Sequence, residues 1–226
     1  IGMILIGFEV YIITKTDVEP EVSVFVEPEP EVVVVPEPEI ELPFGGRQVL
    51  PSYTFAALYG SPVHSNLGAL GQQPLAETIT RARALAAEYQ TYSDQPVIPT
   101  LEVIVTIAAA EPTSNDDYSR ETDIADLLPL IDAAREEDLY VVLDLQPGRS
   151  TFLSQAKLYE DLLIEPHVGL ALDPEWRLQA PEDRHLVKVG GVSAAEVNET
   201  AEWLSNLVAV NELPQKLFMI HQFKPS

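Results

Sequence analysis

The chain contains no cysteine, so neither a disulfide framework nor thiol chemistry is available to it. Basic residues are scarce: 13 Lys and Arg stand against 36 Asp and Glu, for a formal charge of −23. Such a chain repels a phosphate backbone or an anionic lipid surface, which excludes nucleic acid as an expected partner. Glycine is sparse as well, with 11 in 226 residues. None of it falls into G-x-G-x-x-G, G-K-[ST] or G-x-S-x-G, so a dinucleotide fold, a phosphate loop and a serine-hydrolase elbow all lack their signatures. The composition calls for no cofactor. The missing cysteine leaves the compartment open, since a secreted protein without disulfides and a cytosolic one both fit.

What is present divides the chain into three parts. Residues 1–16 form an apolar segment in which Ile1 to Thr14 is interrupted only by Glu9. It is shorter than the roughly 20 residues of a bilayer span and lacks the basic opening of a complete signal peptide. Two readings stand: the remnant of a membrane anchor or signal sequence whose beginning is missing, as a first residue of Ile rather than Met suggests, or a β-strand rich in Ile, Val, Tyr and Thr. Membrane contact is expected only through this segment.

Residues 17–46 are an acidic, proline-rich linker. Between Asp17 and Pro43 there are nine acidic residues, six prolines and no basic residue, in a Glu-Pro rhythm such as Glu27-Pro28-Glu29-Pro30-Glu31. Proline fixes φ and the carboxylates repel one another, so an extended, polyproline-like stalk is expected. Its charges removed, the remainder still carries about −14. An apolar stub followed by a stiff acidic spacer suggests a domain held off the outer face of a membrane, at an extracytoplasmic, envelope-associated location.

Residues 47–226 alternate strand-like with helical patterns. Strands are expected at 53–60, 101–109, 139–146, 168–173 and 216–223, and helices at 75–92, 124–137, 150–164 and 194–210. Ser193 with Glu196 forms a capping box for the last helix. That order implies a parallel sheet covered by helices, either an open doubly wound sheet or a (β/α) barrel. Spacing and the missing dinucleotide fingerprint favour a parallel (β/α) barrel-type domain of the α/β class, cut short after its fifth strand.

In that architecture the site lies at the carboxyl ends of the strands. Alternation places Asp144 and Gln146 on one face with Tyr140 and Val142, and Asp173 on one face with Gly169 and Ala171, whose small size suits a crowded interior. The last strand ends in His221 and Gln222, and the first in Tyr59. Glu102, at the expected start of its strand, reads as structural. Glycosidic cleavage needs one carboxyl kept protonated and another ionised; Asp144, Asp173 and Glu175 are the catalytic candidates. Tyr59, Gln146, Trp176, His221 and Gln222 are the substrate-binding ones, with the Trp176 and Tyr59 rings as flat faces for a sugar. Metal-assisted phosphodiester hydrolysis would instead use Asp144, Asp173, Glu175 and His221 as ligands. Non-catalytic binding of a glycan or protein is the third reading. Against all three, a strand-end Asp often pairs with an arginine, and Arg149 and Arg177 lie near in sequence. His64, His167 and His185 are expected at the surface, Gln155 and Lys157 on a solvated helix face, and Trp203 in the core.

The strings Leu139-Tyr140-Val141-Val142-Leu143-Asp144-Leu145-Gln146-Pro147-Gly148-Arg149, His167-Val168-Gly169-Leu170-Ala171-Leu172-Asp173-Pro174-Glu175-Trp176-Arg177 and Leu213-Pro214-Gln215-Lys216-Leu217-Phe218-Met219-Ile220-His221-Gln222-Phe223 resemble an uncharacterised family of actinobacterial cell-envelope proteins and lipoproteins with a barrel-like domain. The likeness spans roughly residues 53–223 and implies a chain that continues into further strands. It implies no catalytic residue, because the family has no assigned activity, and the lipid-bearing Cys of a lipoprotein start is missing here. The resulting expectation is an envelope-associated domain, related in architecture to glycoside hydrolases, that acts on or binds carbohydrate or cell-wall glycan.

Overall fold

The structure is a computed structural model that describes residues 39–222. The apolar segment 1–16, the linker as far as residue 38 and the end of the last expected strand at Phe223 lie outside the described residues. The elements run β1 (Thr54–Gly60), α1 (Leu75–Tyr89), β2 (Val97–Ala108), β3 (Ser119–Glu121), α2 (Ile124–Glu136), β4 (Tyr140–Leu145), α3 (Phe152–Leu158), α4 (Glu160–Leu163), β5 (Val168–Leu172), α5 (Ala194–Val210) and β6 (Phe218–Ile220).

Five parallel strands in the order β1-β2-β4-β5-β6 curl into a half-barrel of the (β/α) type, with short β3 antiparallel on the end of β2. Alternation within each strand separates two cores. Leu58, Leu101, Val103, Val141, Leu143, Leu170 and Leu172 face outward to helix residues such as Ile79, Leu127, Ile131, Phe152 and Leu204. The opposite side chains, Phe55, Ile98, Tyr140, Val142, Ala171 and Met219, make a second core on the concave face. Both faces of the central strands are therefore apolar, as a helix-covered parallel sheet requires.

Tyr140 fills the concave core with its ring fully enclosed, and Gly169 makes room for it. A Cβ at Gly169 would lie 2.6 Å from the Leu217 carbonyl oxygen and 2.9 Å from the Tyr140 hydroxyl. That hydroxyl accepts the Leu217 N–H at 3.0 Å.

Residues 39–53 close the amino-terminal end of the concave face. Leu42 and Val49 are buried there, and Phe44 packs edge-on against Tyr53, their ring centres 4.9 Å apart. Residues 39–46 therefore belong to the folded body, ahead of the boundary that composition places at 47. Arg47 donates to the carbonyls of Glu212 (2.9 Å) and Leu213 (3.3 Å), while Gln215 Oε1 accepts the Val49 and Leu50 N–H groups.

Some local expectations change. The single helix over 150–164 breaks at Tyr159, whose φ of −111° is not helical. Its hydroxyl donates to the carbonyls of Val105 (2.8 Å) and Thr122 (3.0 Å), drawing the ring inward. Ser193 Oγ does accept the Glu196 N–H at 3.2 Å, but Glu196 turns its carboxylate to Arg177 at 2.8 Å instead of completing the capping box. Gly190 serves close backbone approach, since a Cβ there would meet the Arg177 carbonyl oxygen at 2.3 Å. His167, His185 and Gln155 are buried rather than solvated. Each has a polar partner inside: Ile131 O for His167 (3.0 Å), Ala109 O and Trp176 O for His185, and Thr106 and Ser119 for Gln155.

Candidate functional site

At the carboxyl-terminal end of the concave face the apolar layer gives way to polar side chains, one from each parallel strand or the residue just beyond it: Tyr59, Glu102, Asp144, Asp173 and His221. Strand register carries them together. Tyr59 lies opposite Glu102 in β1 and β2, and Glu102 opposite Val142 in β4, so Asp144 stands one pleat higher. Val142 lies opposite Gly169, which puts Asp173 higher again, and the His221 N–H donates to the Leu172 carbonyl. This climb across the sheet is the stagger that strand tilt imposes on a barrel.

The side chains meet. Tyr59 donates its hydroxyl to Asp144 Oδ2 at 3.1 Å. Gln146 accepts the Ala108 N–H at 3.0 Å and turns its amide toward the Tyr59 hydroxyl at 3.4 Å. His221 Nε2 lies 2.7 Å from Glu102 Oε1, bridging the concave face from β6 to β2. Asp144 is fully buried, and its Oδ1 has no hydrogen-bond partner among the described residues. Neither nearby arginine neutralises it: Arg149 pairs with Asp116 and Arg177 with Glu196, each at 2.8 Å.

Burial and crowding of like charge set the protonation states. Desolvation, then the charge of Asp173, pushes Asp144 far above the usual carboxylate range. Desolvation and then Glu175 raise Asp173 to about 6, against the opposing pull of His221. His221 moves the other way, up to about 9, chiefly through its hydrogen bond to Glu102 and with help from Asp144. Burial, then Asp144, raises the Tyr59 phenol. Near neutrality the arrangement holds an imidazolium on Glu102, with Asp144 biased toward its protonated form beneath and Asp173 close to its midpoint.

Of the residues expected at the site, Tyr59, Asp144, Gln146, Asp173 and His221 converge. Glu175 stands at the rim, on the 3₁₀ turn Pro174–Trp176, close enough for its charge to act on Asp173. Trp176 stands beside the cluster: its indole packs edge-on to His185, with ring centres 5.4 Å apart, and its side chain reaches the Asp173 carboxyl, holding back part of that group's rise. Glu175 and Trp176 line a groove of about 260 Å³ with Leu186, Val187, Lys188 and Val189. Gln222 is exposed and joins none of these contacts among the described residues. One step past His221, it takes the opposite side of an extended chain.

Glu102 is the residue whose expected place, at the start of its strand, the structure changes. With β2 beginning at Val97, Glu102 sits mid-strand, nearly buried, on the face of Ile98. Pro99 obscured the start of the strand, but a lone acid inside Val-Ile-Pro-Thr-Leu-Glu-Val-Ile-Val is a signal in itself, since a buried carboxylate needs a partner. No family model, curated protein or solved structure matches the chain.

Proposed function

We propose that the mouth of the half-barrel binds a carbohydrate, and that its carboxyl groups cleave a glycosidic bond by acid/base chemistry in an envelope-associated protein. The observation that carries this reading is the pair of environments at the mouth: Asp173, raised to about 6, beside the more open carboxylate of Glu175 on the same turn. A carboxyl with its midpoint near 6 holds a proton at mildly acidic pH and can give it to a leaving oxygen, while a second carboxylate serves as base or nucleophile.

Asp144, expected among the catalytic carboxyls, is too enclosed to meet a sugar and takes a supporting role. It holds the Tyr59 hydroxyl, and the Tyr59 ring, 36% exposed, is the face it presents to a ligand. The groove beside Trp176 extends the surface along which a glycan chain can lie. The envelope location rests on the order of apolar segment, acidic spacer and domain, together with the family resemblance of the three strings.

Reducing-end release from solubilised cell-wall glycan and from aryl glycosides, scored for the full chain and for Asp173→Asn, tests the reading. A loss of at least about 100-fold in turnover with glycan binding retained is expected when a general acid is removed. Binding without turnover in the parent chain would leave a carbohydrate-binding module. Unchanged turnover in Asp173→Asn would remove the acid/base assignment.

A further inference from the structure

Beneath the rim, three donors from three different strands face one another. Glu102 and Asp144 each offer a carboxylate oxygen and His221 a ring nitrogen, all within 4.8 Å of one another. Nitrogen and oxygen ligands lie about 2.0–2.2 Å from a small divalent ion, so donors sharing one stand about 3–4 Å apart. His221 Nε2 and Glu102 Oε1, 2.7 Å apart, need open only slightly to admit an ion, with the Asp144 oxygen already within 4.8 Å.

A second, independent observation points to a cation. Asp144 is fully buried, yet its Oδ1 has no donor among the described residues. An unpaired buried carboxyl oxygen is costly, and Arg149 and Arg177 pair elsewhere. The surroundings also resemble the outer support of a metal site. The other oxygen of Asp144 is fixed by the Tyr59 hydroxyl, which Gln146 approaches in turn, and the Gln146 carbonyl is fixed by the Ala108 N–H.

We infer that Glu102, Asp144 and His221 form a site for one small first-row divalent cation, of the Zn²⁺ or Mn²⁺ kind, in the floor of the cup. The ion takes the place of the hydrogen between His221 Nε2 and Glu102 Oε1; that proton leaves to solvent, as does the proton that burial favours on Asp144. One imidazole and two carboxylates match such ions better than Ca²⁺, which takes six to eight oxygens. The site goes beyond the carbohydrate reading and does not depend on it, because Asp173 and Glu175 are not among the ligands.

Calorimetric titration of the full chain, stripped with chelator and without any glycan, tests the site with Zn²⁺ and with Mn²⁺ alone. One ion per chain is expected. Glu102→Gln, Asp144→Asn and His221→Gln, each checked for a native near-ultraviolet dichroism spectrum, should weaken binding at least tenfold, while Glu175→Gln leaves it unchanged. A measurement on the unmutated chain guards against misfolded variants: Mn²⁺ should broaden the His221 imidazole resonance ahead of those of His64 and His185. No binding of either ion, or equal broadening of all the histidines, overturns the site. Affinity unchanged in both Asp144→Asn and His221→Gln does so too. None of these outcomes bears on the loss of glycan turnover in Asp173→Asn, so the two readings fail separately.

Discussion

The concave face of the half-barrel carries two layers built on the same strands, and they differ in kind. Phe55, Ile98, Tyr140, Gly169 and Leu217 lie at its amino-terminal end; Tyr59, Glu102, Asp144, Asp173 and His221 follow, each four residues later in its own strand. Four residues are two full periods of a strand, so both sets point the same way. The first layer is apolar and sealed by Phe44 and Leu42; the second is ionisable and opens at Tyr59 and His221. One backbone thus supports two opposed environments about 13 Å apart along the strand. The lower layer supplies stability, and the upper layer spends part of it on desolvating carboxyl groups.

The largest test of this contrast removes the keystone of the lower layer. Tyr140→Ala should cost about 3–5 kcal/mol in urea unfolding, from lost burial and the cavity left behind. A cost below about 1 kcal/mol would mean that the aromatic layer is not what holds the barrel end together.

In the upper layer the opposite sign is expected. Asp173 has a folded-state value of about 6 against the ordinary 3.8, so between these the folded protein holds the proton more tightly than the unfolded chain does. The stability this contributes is complete below about pH 3.8 and is lost as pH rises through about 6. Asp173→Asn should therefore raise stability by about 3 kcal/mol at pH 7, and the gain should vanish near pH 3.5. A destabilised variant at pH 7 would show that Asp173 is favourably paired in its ionised form.

A smaller effect concerns the bridge across the mouth. His221, raised to about 9 mainly by Glu102, contributes stability that is complete below about pH 6.5 and lost as pH rises through about 9. In Glu102→Gln its midpoint, followed by NMR of the metal-free chain, should fall by one unit or more toward that of free imidazole. A midpoint that stays near 9 would assign the shift to Asp144 and Asp173.

Much of this division is written in the sequence. Period-two alternation places Asp144 above Tyr140 and Val142, and Asp173 above Gly169 and Ala171, because a strand buried on both sides leaves few places for an acid. The helix over Ala194–Val210 was legible from its Ser193 cap and apolar stripe. What could not be read is what depends on distant chain. The bond between His221 and Glu102 joins residues 119 apart in sequence, set by barrel curvature and strand stagger that no local pattern encodes. Likewise His167, His185 and Gln155 look like surface residues until carbonyls and hydroxyls from elsewhere in the chain enclose them. Gln222 failed for a simpler reason: one residue decides which side of a strand a side chain takes.

The contacts that join Arg47 to Glu212 and Leu213, and Gln215 to Val49 and Leu50, have a mechanical meaning. They act as a clasp between the incoming chain and the loop that feeds β6. Tension arriving from the amino side is thus delivered to the strand that presents His221 as well as to β1.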